Sequence, residues 1–182
     1  MATIYLVRHG KAAGSFTDDL DPGLDDLGRR QAHAACASLT NLTPLQLLSS
    51  PLLRAQETAA PLGEKLQSPV SIENRVAEVP SPNLSLQERG AWLGAVMEGQ
   101  WSEQSESLQA WRNNIGTCLL SISTNTVIFT HFVAINAAVS LAEKSDKVLV
   151  FRPDNCSITI IETDGKTLEI VERGQEAVTK VN

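Results

Sequence analysis

The sequence has few cysteines, and they are not grouped. Cys36, Cys118 and Cys156 are its three cysteines, and no C-x-x-C pair occurs. Scattered cysteines in odd number argue against a disulfide framework and against a zinc site. They fit a reducing compartment, so we expect the protein to work in the cytoplasm.

Basic residues are in the minority, and long apolar runs are missing. The chain has 15 basic and 21 acidic residues, a net charge of −6, so neither nucleic acid nor a membrane surface is an expected partner. The first apolar run, residues 4–7, is too short for a signal peptide. No segment approaches the ~18 apolar residues that a membrane span needs.

The rest of the composition is that of an ordinary globular protein. The chain has 182 residues, of which 42% are hydrophobic and 20% charged, enough for a full core. We therefore predict a single domain over residues 1–182. The segment at about 80–102 has a different composition, with prolines followed by tryptophans in polar surroundings. We predict a helical insertion there, over one end of the sheet.

Segments typical of strands and helices alternate along the chain. Strands are predicted at residues 3–7, 45–48, 70–72, 126–130, 148–151, 157–162 and 168–172. Helices are predicted after Pro22-Gly23, from Pro51 with a kink or restart at Pro61, and at residues 103–122 and 133–142. The alternation predicts an α/β fold, and the Asp164-Gly165 turn between the last two strands predicts an antiparallel edge.

Three predicted strands end on polar, reactive residues: Arg8-His9-Gly10, Ser49-Ser50-Pro51 and Thr130-His131. Arg54 lies on the first turn of the next helix, and Glu78 follows the third strand. Because open α/β sheets bind ligands outside the carboxyl ends of their strands, these side chains can share one site. Arginine matches phosphate oxygens, histidine can act as a nucleophile, and glutamate can protonate a leaving oxygen. The combination suits a phosphoryl group.

Longer motifs surround these residues in a consistent order. They are RHG at 8–10, LDDLGRRQA at 24–32, SSPLLRAQETA at 49–59, Glu78, TH at 130–131 and NCSIT at 155–159. Together they resemble the histidine phosphatase superfamily from residue 4 to about residue 162. The resemblance implies the phosphoglycerate mutase-like fold, a three-layer α/β/α sandwich around a mostly parallel sheet.

The resemblance also implies roles for the site residues. His9 would attack phosphorus and become transiently phosphorylated. The phosphoryl group would be held by Arg8, Gly10, Arg54 and His131, with His131 also counted as catalytic. No metal or cofactor is expected, because no cluster of metal ligands occurs and the arginines supply positive charge.

Glu78 is the expected general acid, which would protonate the leaving group and then activate the attacking water. Its assignment depends on a loop whose register the sequence does not fix. Glu73 and Glu88 therefore remain as alternatives.

Two positions depart from the family pattern. Phe132 stands where the family usually has glycine, and Lys11-Ala12 replaces an acidic or amide residue followed by threonine. The loop from Lys11 to Gly23 contains Asp18, Asp19 and Asp21 and a single cation, a poor setting for a second phosphate.

We therefore expect a phosphatase, acting on a phosphorylated small molecule or a phosphorylated protein side chain. A phosphoglycerate-type mutase is the alternative enzyme. Phe132 keeps open a non-catalytic module that only binds phosphate. The sequence predicts no oligomeric state.

Overall fold

A computed structural model describes residues 1–15, 17–42 and 45–178 of the chain. The strands are β1 (Ala2–Arg8), β2 (Gln46–Ser49), β3 (Val70–Ile72), β4 (Thr126–Thr130), β5 (Ile158–Thr163) and β6 (Leu168–Glu172). The helices are α1 (Asp26–Leu39), α2 (Leu53–Leu66), α3 (Leu86–Glu98), α4 (Glu106–Leu120) and α5 (Phe132–Ala142), with 3-10 turns at Asn74–Val76 and Trp101–Glu103.

All six strands form one sheet in the order β3-β2-β4-β1-β5-β6. The first four strands in this order are parallel to one another, and β5 and β6 are antiparallel to their neighbours. The register places Arg8 beside Thr130 and Ser49 beside Phe129. The segments that follow β1, β2 and β4 therefore leave the sheet at the same edge.

Helices cover both faces of the sheet, which confirms the three-layer α/β/α sandwich. On one face, α1 and α2 pack on the sheet through a cluster that includes Leu39, Leu62 and Phe129. On the other face, a larger cluster that includes Ile115 and Ile135 joins α4 and α5 to the sheet. Strand β4 is buried along its whole length, as expected for a central parallel strand.

The predicted strand at residues 148–151 is wrong. The backbone N–H groups of Val150 and Phe151 donate to the buried side-chain oxygen of Asn136, at 2.8 and 3.1 Å. These donors are therefore committed to a side chain of α5, and the segment runs as an irregular connection.

The start of α2 also differs from the prediction. The helix begins at Leu53 rather than Pro51, and it continues through Pro61 without restarting. The Ser50 hydroxyl lies before the helix and accepts from the Leu52 N–H at 3.2 Å. The N-cap of α1 is Asp25, whose side chain accepts from the Gly28 N–H at 2.7 Å.

Candidate active site

A cavity of about 420 Å3 opens at the carboxyl ends of the parallel strands. Four of the predicted site residues line it: Arg8, His9, Arg54 and Glu78. His131 is fully buried, and its ring centroid lies 5.2 Å from that of His9. The sheet thus brings together side chains that are up to 123 positions apart in the sequence (His131 against Arg8).

His9 follows directly after β1 and is held at both ring nitrogens. Its Nδ1 lies 2.7 Å from the carbonyl oxygen of Gly10, and its Nε2 lies 3.2 Å from Nε of Arg54. Because the carbonyl can only accept and the guanidinium can only donate, Nδ1 carries the proton and Nε2 has a free lone pair. Burial, together with the charges of Arg54 and Arg8, lowers the pKa of His9 to about 3. His9 is therefore a neutral imidazole with Nε2 as its basic atom.

Arg54 is a buried arginine on the first turn of α2. Cations are unfavourable at a helix N-terminus, where the dipole favours anions. The carboxylate of Asp21 lies 3.9 Å from Nη1 of Arg54. The helix end and the guanidinium together favour an anion, and the Asp21 carboxylate, which also accepts from the Leu53 N–H at 2.8 Å, already lies at this place.

His131 follows directly after β4 and lies at the bottom of the site next to His9. Its Nε2 lies 2.7 Å from the Ser50 hydroxyl, and its Nδ1 is buried with no hydrogen-bond partner among the described residues. Since the Ser50 oxygen already accepts from Leu52, its own proton is free to point at Nε2. That arrangement puts the ring proton on Nδ1 and makes Nδ1 a donor. Burial, with nearby His9 and Arg54, holds the pKa of His131 well below its usual value.

Glu78 is held by backbone donors on two sides. Its carboxylate accepts from the N–H of Val79 at 2.9 Å and from the N–H of Val133 at 3.4 Å. Burial raises its pKa, against these hydrogen bonds and the attraction of Arg54 and Arg8. A carboxyl group with a raised pKa inside a cavity can serve as a proton donor.

The alternative carboxylates are engaged elsewhere. Glu73 forms a bidentate pair with Arg75, at 2.8 and 2.7 Å. Glu88 closes the capping box of α3 with Ser85. Of the three candidates, Glu78 is the one that lines the cavity.

Arg8 is held by a hydrogen bond to the backbone and by a contact with an aromatic ring. Its Nη1 donates to the carbonyl oxygen of Pro153 at 2.8 Å, and its guanidinium lies 5.1 Å from the ring centroid of Phe132. Phe132 lines the cavity as well. Phe132, which departs from the family pattern, therefore forms part of the pocket wall and contacts Arg8, a residue predicted to bind phosphate.

Gly10 allows two backbone segments of the protein to approach each other closely. A Cβ at Gly10 would lie 2.5 Å from the carbonyl oxygen of Gly28, and one at Gly28 would lie 2.1 Å from that of Lys11. The Gly10 N–H donates to Thr58 at 3.0 Å, and the Thr58 hydroxyl donates to the carbonyl of Arg54 at 2.7 Å. These contacts tie the loop after His9 to α1 and α2.

Four residues that contribute to the site were not predicted from the sequence. Asp21 accepts from the Leu53 N–H at 2.8 Å, and Asn155 donates to the carbonyl of His9 at 3.0 Å. Leu93 and Met97 of α3 line the cavity. Asn155 lies in a motif that the sequence had already marked, whereas the other three had no local signal.

No group of three or more His, Cys, Asp or Glu side chains is placed to hold a metal ion within the described ranges. In the same ranges, no helix has both the length and the apolar character to cross a membrane.

Comparison with known proteins points to one family. Residues 4–176 match the family model of the histidine phosphatase superfamily (branch 1). The chain is 44% identical over 79 residues to a glucosyl-3-phosphoglycerate phosphatase of Mycolicibacterium vanbaalenii, covering 41% of this chain and 35% of that protein. It is 26% identical to a 2,3-bisphosphoglycerate-dependent phosphoglycerate mutase of Thermoplasma acidophilum, over 90% of this chain and 88% of that one.

A solved structure shares the fold. The phosphoserine phosphatase of Entamoeba histolytica, in complex with 3-phosphoglyceric acid, superposes with a TM-score of 0.76 at 18% identity, over 96% of this chain and 98% of that one. At this identity the likeness concerns the fold alone. The chain spans half or less of the glucosyl-3-phosphoglycerate phosphatases that it matches.

Proposed function

The chain belongs to the histidine phosphatase superfamily, and from this premise we propose that it is a phosphatase that hydrolyses a phosphomonoester through a phosphohistidine on His9. The observation that carries the proposal is a neutral His9 whose Nε2 lone pair lies against Arg54 in a cavity that Glu78 also lines. The substrate we propose is a phosphorylated small molecule, in line with the relative that acts on glucosyl-3-phosphoglycerate. A phosphorylated protein side chain is the second substrate class.

In the first step, Nε2 of His9 attacks phosphorus and the bond from phosphorus to the ester oxygen breaks. Glu78 gives its proton to that oxygen, so the alcohol leaves neutral. Arg8, Arg54 and Nδ1 of His131 donate to the phosphoryl oxygens, where negative charge accumulates. Arg54 must release the His9 lone pair for this step, and an anionic phosphoryl oxygen is the stronger acceptor.

In the second step, water attacks the phosphohistidine. Glu78, now a carboxylate, takes a proton from the water as its oxygen bonds to phosphorus and the bond to Nε2 breaks. Inorganic phosphate leaves, and His9 and Glu78 return to their starting protonation states. The arginines supply the positive charge throughout, so the proposal requires no metal and no cofactor.

The nucleophile is tested by His9→Ala, with His33→Ala as the matched control, because His33 is an exposed histidine on α1. We expect His9→Ala to release no phosphate from a panel of phosphomonoesters and to form no acid-labile phosphoenzyme on rapid quenching. His33→Ala should behave as the wild type. Turnover by His9→Ala would overturn the proposal, and a wild type that binds vanadate without turnover would identify a phosphate-binding module.

A mutase is the second candidate, favoured by the similarity to the Thermoplasma acidophilum mutase along most of the chain. Against it, Asp19 lines the cavity and Asp21 lies 3.9 Å from Arg54, so a second phosphate would meet negative charge. Release of inorganic phosphate without a bisphosphate primer supports the phosphatase. A strict requirement for the primer, with phosphate transfer between positions of one substrate, would support the mutase.

We propose that this reaction takes place in the cytoplasm. The three cysteines are all unpaired, which suits a reducing compartment. Fractionation of cells with an antibody to the chain tests this placement.

A further inference from the structure

One side of the cavity is built from apolar side chains. Leu93 and Met97 are four residues apart on α3, so they share one face of the helix. Both are partly buried against the main hydrophobic core, and both line the cavity. Their inner atoms are fixed by packing, and their remaining surface borders the space that a ligand would occupy.

Phe132 and Val133 continue this wall at the start of α5. The Phe132 ring packs on the core at one side and lies 5.1 Å from the Arg8 guanidinium, a cation–π distance. The ring is therefore held in place next to a phosphate-binding group. We call Leu93, Met97, Phe132 and Val133 the apolar wall.

The position of Glu78 places the apolar wall on the leaving-group side. The Glu78 carboxylate accepts from the Val133 N–H at 3.4 Å. If Glu78 protonates the leaving oxygen, as in the proposed function on which this inference rests, the departing group must emerge next to Val133 and Phe132. The groups proposed to bind phosphate lie together at the carboxyl ends of β1 and β4 and at the start of α2. The alcohol part of the substrate therefore faces the apolar wall.

We propose that the preferred substrates are phosphomonoesters whose alcohol part is apolar, such as an aryl-substituted or branched alkyl group, rather than a sugar or an amino acid. Hydrolysis gives inorganic phosphate and the apolar alcohol by the two steps described above. Hydroxyl groups of a sugar would lose water against side chains that offer no hydrogen bonds, which is costly. An apolar group gains free energy from the same burial. The cavity of about 420 Å3 has room for such a group beside the phosphate.

Two alkyl esters with leaving groups of similar intrinsic reactivity test the inference: 2-naphthylmethyl phosphate and glycerol 1-phosphate. We expect kcat/KM to be at least about tenfold higher for the naphthylmethyl ester, the lower end of what apolar pocket contacts give. Leu93→Gln should lower the ratio of the two kcat/KM values about tenfold. Leu86→Gln is the matched control, because Leu86 is also a half-buried leucine on α3 but lies outside the set of residues that line the cavity.

A ratio near one in the wild type, or an unchanged ratio in Leu93→Gln, would overturn the inference while leaving the proposed function intact. Met97→Gln serves if Leu93→Gln does not fold. If the wild type hydrolyses neither ester, the proposed function fails instead, and binding of 2-naphthylmethylphosphonate against methylphosphonate by calorimetry still tests the apolar wall. We expect at least about tenfold tighter binding of the naphthylmethyl compound, and equal binding would overturn the inference.

Discussion

The Nε atom of Arg54 lies 3.2 Å from Nε2 of His9, so a buried arginine donates to the lone pair that is proposed to attack phosphorus. This contact keeps Nε2 unprotonated and fixes the direction in which it points. The same guanidinium is also proposed to hold a phosphoryl oxygen. In the proposed mechanism, Arg54 exchanges the His9 lone pair for a phosphoryl oxygen when the substrate binds, so His9 becomes free to attack only when its target is present.

Replacing Arg54 by alanine should lower kcat by at least ~10²–10³, the usual cost of removing one preorganised donor. It should also raise the pKa of His9, since the positive charge of Arg54 is one cause of its low value. Steady-state kinetics and NMR titration of His9 measure the two effects. Arg29→Ala is the control, because Arg29 is an exposed arginine on α1; near-normal turnover in Arg54→Ala would contradict the pocket assignment.

The pH dependence of kcat/KM should be determined by Glu78 rather than by His9. The pKa of His9 is about 3, so His9 stays neutral at all ordinary working pH values. The pKa of Glu78 is raised by burial, and Glu78 must be protonated to act as an acid. We therefore expect kcat/KM for alkyl phosphates to fall as the pH rises through the Glu78 pKa.

Glu78→Gln tests this assignment, because glutamine cannot transfer a proton. The kcat/KM for alkyl phosphates, which reports the steps up to release of the alcohol, should fall by about 10²–10⁴ and should no longer decrease at high pH. The loss should be smaller for p-nitrophenyl phosphate, whose leaving group departs without protonation. Equal losses of kcat/KM on both kinds of ester would show that Glu78 is not the general acid.

The sequence predicted the parts of the site that belong to strand ends. Arg8, His9 and His131 follow apolar runs, and the parallel sheet then brings them to one edge. The motif around Arg54 placed it correctly on the first turn of α2. Local order along the chain was sufficient for these residues, because the topology of a parallel sheet determines where they meet.

Contacts between distant segments were not predictable in this way. Leu93 and Met97 look like ordinary core positions of a helix, and only tertiary packing turns them toward the cavity. Asp21 lies in a polar loop, where nothing in the sequence distinguishes it from Asp18 or Asp19. The predicted strand at residues 148–151 failed for a similar reason, since the side chain of distant Asn136 takes up its N–H groups.

Ser50 is expected to act through His131 as a positioning residue. Without the Ser50 hydroxyl, the donor that sets the tautomer of His131 is lost. We expect Ser50→Ala to lower kcat by less than the ~10²–10³ of losing a donor outright, and Ser50→Thr, which keeps a hydroxyl, to restore part of it. Nitrogen-15 NMR of His131 should show the proton moving between ring nitrogens in Ser50→Ala, and an unchanged tautomer with reduced kcat would contradict this role.

The contact between α1 and the loop after His9 should make Gly28 sensitive to substitution. A Cβ at this position would lie 2.1 Å from the Lys11 carbonyl oxygen, so the backbone must move. We expect Gly28→Ala to lower the free energy of unfolding by about 1–3 kcal/mol, as overpacking does. Gly94 is the matched control, because it lies within α3 with nothing inside 4 Å of its added Cβ; Gly94→Ala should stabilise by about 0.5–1 kcal/mol. Urea unfolding measures both, and a loss of stability in the two variants alike would contradict the steric explanation.

The buried histidines should make the protein less stable in acid. The folded-state pKa of His9 is about 3, below the ordinary value of about 6.5 that applies in the unfolded chain. Between these values the unfolded chain binds the extra proton, so the free energy of unfolding falls as the pH falls, by up to about 1.4 kcal/mol per pH unit for each such histidine. His131 contributes in the same direction, because its pKa is also lowered.

Glu78 opposes this trend, because burial raises its pKa and the folded state therefore binds the Glu78 proton more tightly than the unfolded chain does. The histidine effect is measured between about pH 5 and 6.5, by urea unfolding of the wild type and of His9→Asn, because both proteins contain Glu78 and its contribution is common to the two slopes. We expect the slope of the free energy of unfolding against pH to decrease by up to about 1.4 kcal/mol per pH unit in His9→Asn. His33→Asn, with its exposed position, should keep the wild-type slope. A His9→Asn slope equal to that of the wild type would mean that His9 is protonated in the folded protein, and a protonated imidazole has no lone pair with which to attack phosphorus.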